Sequence, residues 1–455
     1  MKVCLILFLL SFYVSNSQEL KRQASHGFTL NLVDSTTASQ YRMIEAKGMT
    51  VQYVLPDSNA DKAGIIHNDV ILSINNIELN SFEALRHKEV KRVHGDTSVY
   101  SVLRDGKALT LKVKMVGNSK EHFEGLVFDY DSYAFDEGRV RTIFTSDGSP
   151  QKKPAILFVP GYTCFSLDNM NIHHPYRKIV YDLAQKGFLV MRAEKLGIGD
   201  SSNKQKCTEI DFNTEIDSYR KALETLYQHP ETDVDNIFIF GHSLGGMEAP
   251  FIVDGFNVKG VISMGITIKY WKEYLIEMLR NQLPRLRVDY LQSEKDLKLY
   301  DNLLHQLLVN KKTPLQMITT NKDFARLLLR DFGTLDANMF LGRDIKFSQS
   351  LNDKNMIEAW LKIDTKVLSV WGESDIETLN DFSHRELVNI INSKHPENAT
   401  FLELKDTDHN FLKIETIEKS YQINRGGNIG ALMPTHFNHK AIDAISDWIK
   451  ETISN

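Results

Sequence analysis

The sequence predicts an α/β chain in two bodies: a mostly parallel sheet with helical crossovers, preceded by a small α+β domain. Three observations carry this expectation. From residue 154 onward, short β-branched and aromatic runs alternate with amphipathic stretches, the rhythm of a parallel sheet with helical crossovers. Residues 24–117 follow another rhythm, with short apolar runs separated by turn residues. And at 455 residues the chain is too long for one ordinary domain.

Composition narrows the function classes. The chain is 42% hydrophobic and 25% charged with a formal net charge of −5, so it presents neither a basic field for nucleic acid nor an acidic tail. It contains no low-complexity tract and no internal repeat.

The first stretch, "MKVCLILFLLSFYVSNSQ", places Lys2 before an apolar run from Val3 to Val14 and small residues at Ser15 and Ser17. That order reads as a secretory signal over residues 1–17, too short to span a bilayer comfortably. A secreted or periplasmic protein is expected, with no transmembrane segment after cleavage. An uncleaved anchor or a buried strand is the other reading of the run. Cys164 and Cys207 then remain as an even pair in an oxidising compartment.

In the first body, "GMTVQYVLPDSNADKAGIIHNDVILSINNIEL" (48–79) predicts a strand at Met49–Val54, a turn at Pro56–Ser58 and a short helix through Asn59–Ala63. Gly64 ends that helix and a strand follows at Val70–Ile74. A helix is expected near Phe82–Val93. The strands "SVYSVLRDG" and "KALTLKVKMV" come next, joined at Asp105-Gly106, a strong hairpin signal. No nucleophile, base and acid cluster here.

The stretches "VLPDSNADKAGIIHNDVILSINN" and "VLRDGKALTLKV" resemble a PDZ domain of the bacterial type. The resemblance implies that 24–117 is a PDZ-like domain able to bind an extended peptide by strand addition. It departs from the family at "YRMIEAKGMT", which lacks a clean Gly-rich nest for a peptide carboxylate. A module that only packs on its neighbour is the alternative.

Residues 118–150 form a polar bridge in which "RVRTIFTS" has strand character, and they are expected to feed edge strands into the second body, 151–455. Because the bridge is polar, a chain beginning near Gly125 is expected to fold without the first domain. Beyond the bridge, "AILFVPG" (155–161), "FLVMRAE" (188–194), "VKGVISMG" (258–265), "TKVLSVWG" (365–372) and "ATFLELKD" (399–406) read as strands. "YRKIVYDLAQKG" and "EIDSYRKALETLYQ" read as helices between them.

The informative segment is "NIFIFGHSLGG" (236–246). Ile237 to Phe240 suit a buried strand, and Gly241-His242-Ser243-Leu244-Gly245 is G-x-S-x-G between that strand and a predicted helix. Gly241 and Gly245 are small because a side chain there would strike a neighbouring element. A serine hydroxyl is a poor nucleophile unless a base and an orienting acid converge on it. Asp375 follows "KVLSVWG" and His409 follows "FLELKD", each on a loop directly after a strand. Glu373 and Glu377 remain rivals for the acid, and His436 and His439 for the base.

This order of serine, acid and histidine, with "GHSLGG" and "VMRAEKLGIGDSS", resembles the α/β-hydrolase superfamily over about 300 residues. The resemblance implies a Ser243–His409–Asp375 triad and an oxyanion hole from the amides of Tyr162 and Leu244. Pro160-Gly161 stands where many members have His-Gly. An insertion at about 268–362 implies a helical cap, from which Tyr270, Trp271 and Tyr274 could line a substrate pocket or simply pack cap to core. His242 is expected to pack or to line that pocket. Because the strands ahead of Cys164 and Cys207 are adjacent in this fold, a disulfide between the two is expected.

The adjacent His173-His174 pair diverges and lacks carboxylate or cysteine company, so no metal site and no cofactor are expected. The function that follows is a secreted serine hydrolase acting on a small-molecule or peptide ester, thioester or amide through an acyl-enzyme. An aminopeptidase-like serine peptidase is the alternative, and a peptide-binding adaptor on an inactive scaffold is a third reading.

Overall fold

Side-chain alternation builds the first sheet. In the computed structural model, which describes residues 20–41, 43–82, 84–86, 90, 92–285, 288–332 and 338–454, five strands pair antiparallel in the order Phe28–Leu32, Met49–Val54, Val70–Ile74, Thr97–Arg104 and Lys107–Lys114. The expected signal segment lies outside the described residues. Met49, Val51, Ile71, Ile74, Tyr100 and Val102 point inward and form the core of this domain. Asp105 and Gly106 both take positive φ, 48° and 76°, the two-residue turn that matches strand twist, and Arg104 pairs with Lys107. The short helix Asn59–Lys62 is capped by Ser58, whose hydroxyl accepts from the Asp61 amide.

The helix expected near Phe82–Val93 is replaced, among the described residues, by a 3₁₀ turn at Ala84–Arg86 and a strand at Arg92–Val93. That strand pairs antiparallel with Gln23–Ala24. Its partner lies far away in sequence, so no local periodicity signals it.

The larger sheet has eight strands: β1 (Val127–Phe135), β2 (Gly138–Ser146), β3 (Lys153–Val159), β4 (Leu189–Ala193), β5 (Thr232–His242), β6 (Gly260–Met264), β7 (Lys366–Gly372) and β8 (Ala399–Leu404). They lie in the order β8-β7-β6-β5-β3-β4-β2-β1, parallel from β8 to β4, with β2 and β1 antiparallel at the edge. The two edge strands come from the polar bridge. The period of two sends Ala155, Leu157, Val159, Ile237 and Ile239 to one face and Ile156, Phe158, Phe238 and Phe240 to the other. Helices Phe212–Gln228 and Leu244–Ile252 cover the first face, and Pro175–Gln185 and His439–Ser454 the second. Buried on both faces, these strands read as continuous apolar runs.

Between β6 and β7 the chain makes a largely helical excursion, beginning with Trp271–Arg285 and Tyr290–Leu304 and closing with Ile345–Asn352 and Met356–Leu361. A small hairpin, Met339–Phe340 with Arg343–Asp344, lies within it. The two bodies are bonded together near residue 20. Arg22 reaches Asp168 at 2.5 Å and Asp200 at 2.6 Å, and Arg141 donates to the Leu20 carbonyl at 2.9 Å. Among the described residues, no helix is long and apolar enough to cross a membrane.

Candidate active site

The turn after β5 is as sharp as its glycines allow. Ser243 sits at φ 54°, ψ −122°, and Leu244 already opens the helix Leu244–Ile252. Such a backbone is strained for a residue with a side chain and is held by its surroundings. Here the Ser243 amide donates to the Met264 carbonyl of β6 at 2.7 Å. A Cβ on Gly241 would lie 2.4 Å from the Gly245 carbonyl oxygen, and one on Gly245 would lie 2.2 Å from that of Val159. Neither neighbour is a side chain that can move aside, so both positions require glycine.

Asp375 lies on the loop after β7 and His409 on the loop after β8. The imidazole Nδ1 meets Asp375 Oδ2 at 2.7 Å, with the carboxylate fully buried. The other oxygen, Oδ1, accepts from the amides of Glu377 at 2.8 Å and Thr378 at 3.0 Å. Burial works against the Asp375 anion, but the His409 charge, the hydrogen bond to it and these two amides bring its pKa down to about 2. Burial likewise opposes the imidazolium, yet Asp375 carries the His409 pKa up to about 9.

Three of the four rivals lie elsewhere. Glu373 accepts from the Asp406 amide at 3.2 Å, His436 is exposed beside Thr435, and exposed His439 pairs with Asp182 at 2.5 Å. Glu377 is at the site but lends Asp375 only its amide, and it is one of the residues that line the cavity at Ser243.

His242 does not line the cavity; it is buried beneath the site as a strut. Its Nε2 donates to the His409 carbonyl and its Nδ1 accepts from the Tyr176 hydroxyl, both at 2.8 Å. That hydroxyl accepts in turn from the Gly161 amide at 3.0 Å. Carbonyl and amide at the two ends of this relay fix its direction, so the imidazole is neutral. Burial, reinforced by the nearby His409 charge, lowers its pKa to about 3. One side chain thus ties the His409 loop to the Gly161 loop opposite Ser243. The elbow motif carries no sign of this, because both partners come from distant segments.

Tyr162 and Leu244 both line the cavity at Ser243. The Leu244 amide belongs to a first helical turn, where amides lack intrahelical partners. The Tyr162 loop is held from below by a buried charge cluster. Lys195 Nζ donates to the Gly161 carbonyl at 3.0 Å and to Glu215 at 2.6 Å. Arg343, from the hairpin of the excursion, donates to Glu215 at 2.7 Å and to the Thr163 carbonyl at 3.2 Å. Its guanidinium lies 4.5 Å from the centre of the Tyr162 ring. Burial disfavours the Glu215 anion, but the two cations hold its pKa at about 2. The next residue is clamped as well: Cys164 is disulfide-bonded to Cys207, with 5.7 Å between Cα atoms.

The cavity has a volume of about 220 Å³. Trp271, Tyr274, Leu275 and Met278 supply one wall from a single helix face, at the spacing helical neighbours require. Tyr270 precedes that helix, is 45% exposed and stands off the wall. Leu275 and Met278 escape the sequence reading, although the same periodicity points to them. Met247, Ile266 and Leu341 come from three further segments and carry no local signal.

A family model described as "PDZ domain" matches residues 26–115, and one described as "alpha/beta hydrolase fold" matches residues 154–415. The "Probable periplasmic serine endoprotease DegP-like" of Chlamydia trachomatis is 34% identical over 87 residues, 19% of this chain. The chain spans only 18% of that relative's own length. "Esterase EstD" of Thermotoga maritima is 21% identical over 298 residues, 65% of this chain and 62% of that protein. Among solved structures, Est1E from Butyrivibrio proteoclasticus aligns with 72% of this chain and 99% of its own, at 11% identity and a TM-score of 0.44. With more than half its length matched by the family model, the chain belongs to the alpha/beta hydrolase fold family and carries a PDZ domain ahead of its hydrolase domain.

Proposed function

We propose that this protein is an exported serine hydrolase that cleaves a carboxylic ester through a covalent acyl-enzyme. The observation that carries the reading is the 2.7 Å Asp375–His409 pair on neighbouring strand-end loops, with the His409 ring 4.7 Å from that of His242, the residue before the strained Ser243. Asp375 keeps the proton on Nδ1, leaving Nε2 free to take the Ser243 proton as Oγ attacks the carbonyl. The amides of Tyr162 and Leu244 receive the developing oxyanion. His409 then protonates the departing alcohol, and water enters by the reverse of the same steps.

Ester substrates are favoured by the esterase name of the Thermotoga relative, whose similarity covers 65% of this chain. The DegP-like similarity is confined to the PDZ segment and lends no support to proteolysis. Export is supported by the signal-like residues 1–17 and by a disulfide that needs an oxidising compartment. A peptide ligand is assigned to the PDZ groove. A fluorophosphonate probe with a panel of p-nitrophenyl esters and aminoacyl amides tests the reading. Probe labelling with turnover of at least one ester supports it, and absence of both overturns it.

A further inference from the structure

Glu377 stands out at the site. Among the described residues lining the cavity it alone bears a formal charge, set against Leu244, Ile266, Leu275 and Met278. Its backbone amide serves Asp375, but among the described residues its carboxylate accepts no hydrogen bond and enters no ion pair. A carboxylate facing an apolar cavity is costly unless something pairs with it. Nothing in the proposed acyl-transfer steps uses it.

Two surroundings indicate what would pair with it. Trp271 and Tyr274 stack on the same wall, with ring centres 5.0 Å apart and planes inclined by 24°. Aromatic faces beside a carboxylate suit an ammonium group, which gains from both. Second, the Glu377 amide bonds Asp375 at 2.8 Å and the residue shares the cavity wall with Ser243, which sets it beside the candidate reacting centre. Burial, with the nearby Asp375 charge, drives the Glu377 pKa up, partly offset by the His409 charge, so the anion is disfavoured where it stands. A bound cation would offset that cost.

We propose that the substrate's acyl group has an apolar body with a protonated amine near the scissile carbonyl, and that Glu377 receives the amine. Aminoacyl esters and amides are the chemical class that fits. The inference rests on Ser243 acting as the nucleophile of this cavity, and it assigns Glu377 the choice of substrate rather than the chemistry.

The test pairs two substrates that differ only at the amine: the ethyl esters of leucine and of 4-methylpentanoic acid, compared below the amine's pKa. Intrinsic reactivity cancels when the ratio of their kcat/KM values is taken for wild type and for Glu377→Gln. The wild-type preference for the leucine ester is expected to fall by about tenfold or more in the variant, as for other close charge pairs. An unchanged ratio overturns the proposal, as does a wild-type preference no greater than that of hydroxide. Calorimetry with 3-methylbutylammonium and 3-methylbutan-1-ol reads the same contact without turnover. Tighter binding of the ammonium, lost in Glu377→Gln, supports the assignment, and equal binding of the two overturns it. If wild type turns over neither ester, the hydrolase reading fails while calorimetry still decides on Glu377.

Discussion

Glu121 and Arg192 form a bidentate ion pair, 3.0 Å on both arms, with neither side chain reaching solvent. Glu121 also accepts from the Asn169 amide at 2.7 Å and the Tyr181 hydroxyl at 2.9 Å. The polar bridge is therefore sewn into the hydrolase domain ahead of β1, and the expectation that a chain can begin at Gly125 has to be revised. Such a chain would leave the Arg192 guanidinium buried without its partner, at a cost of about 3–5 kcal/mol. A chain beginning at Gly117 keeps the pair and is expected to fold. Thermal melts of the two truncations check this; equal stability would show that the pair is dispensable.

Ser243→Ala is expected to abolish ester turnover and fluorophosphonate labelling while leaving the melting transition near its wild-type position. The substitution removes one hydroxyl and does not touch the Ser243 amide bond to Met264. Labelling that persists in the variant would move the nucleophile elsewhere.

The base must be neutral to act. Because Asp375 raises the His409 pKa to about 9, kcat/KM is expected to climb with pH well beyond the ordinary imidazole value of 6.5. In Asp375→Asn the limb should shift down, since burial remains and the anion is gone, and the plateau should fall on the order of 10⁴-fold. The raised His409 pKa also means that the group's contribution to stability is complete below pH 6.5 and is lost as pH rises through about 9. Rate and melting profiles against pH read the two effects separately.

Glu215→Gln should leave Lys195 and Arg343 buried against each other without their shared anion. Stability is expected to drop by about 3–5 kcal/mol. Because both cations also hold carbonyls of the 161–163 loop, kcat should fall more than KM changes. Denaturant unfolding together with steady-state kinetics tests this, and unchanged kcat would show that the cluster serves folding alone.

Cys207→Ser opens a loop with a sequence separation of 43 residues. The cross-link is worth about 3–4 kcal/mol by its constraint on the unfolded chain. The variant should melt earlier and lose activity through looser placement of Tyr162, which is two residues before Cys164. Mass spectrometry of non-reduced wild type should find no alkylatable thiol at either cysteine.

Much of the fold is legible in the sequence because its signals are local. Continuous apolar runs announce strands covered on both faces, and Asp105-Gly106 announces a turn with two positive φ values. The strand at Arg92–Val93 is not legible, since its partner at Gln23–Ala24 is recruited across the whole first domain. Tyr270 suggests a pocket residue because it is aromatic and adjacent to Trp271. The helix begins one residue later, and its phase, not its composition, decides which side chains face the cavity.

By itself the sequence determined where the strands, the elbow and the strand-end loops lie, because each depends on residues a few positions apart. Gly241 and Gly245 follow from the elbow motif alone, since a turn that sharp leaves no room for Cβ. Tertiary structure alone decided which charges meet. Glu121 with Arg192, Glu215 with Lys195 and Arg343, and His242 with Tyr176 and the His409 carbonyl join segments 20 to 167 residues apart. A buried polar group must find a partner, but its identity depends on which strands become neighbours, and no window of sequence contains that information.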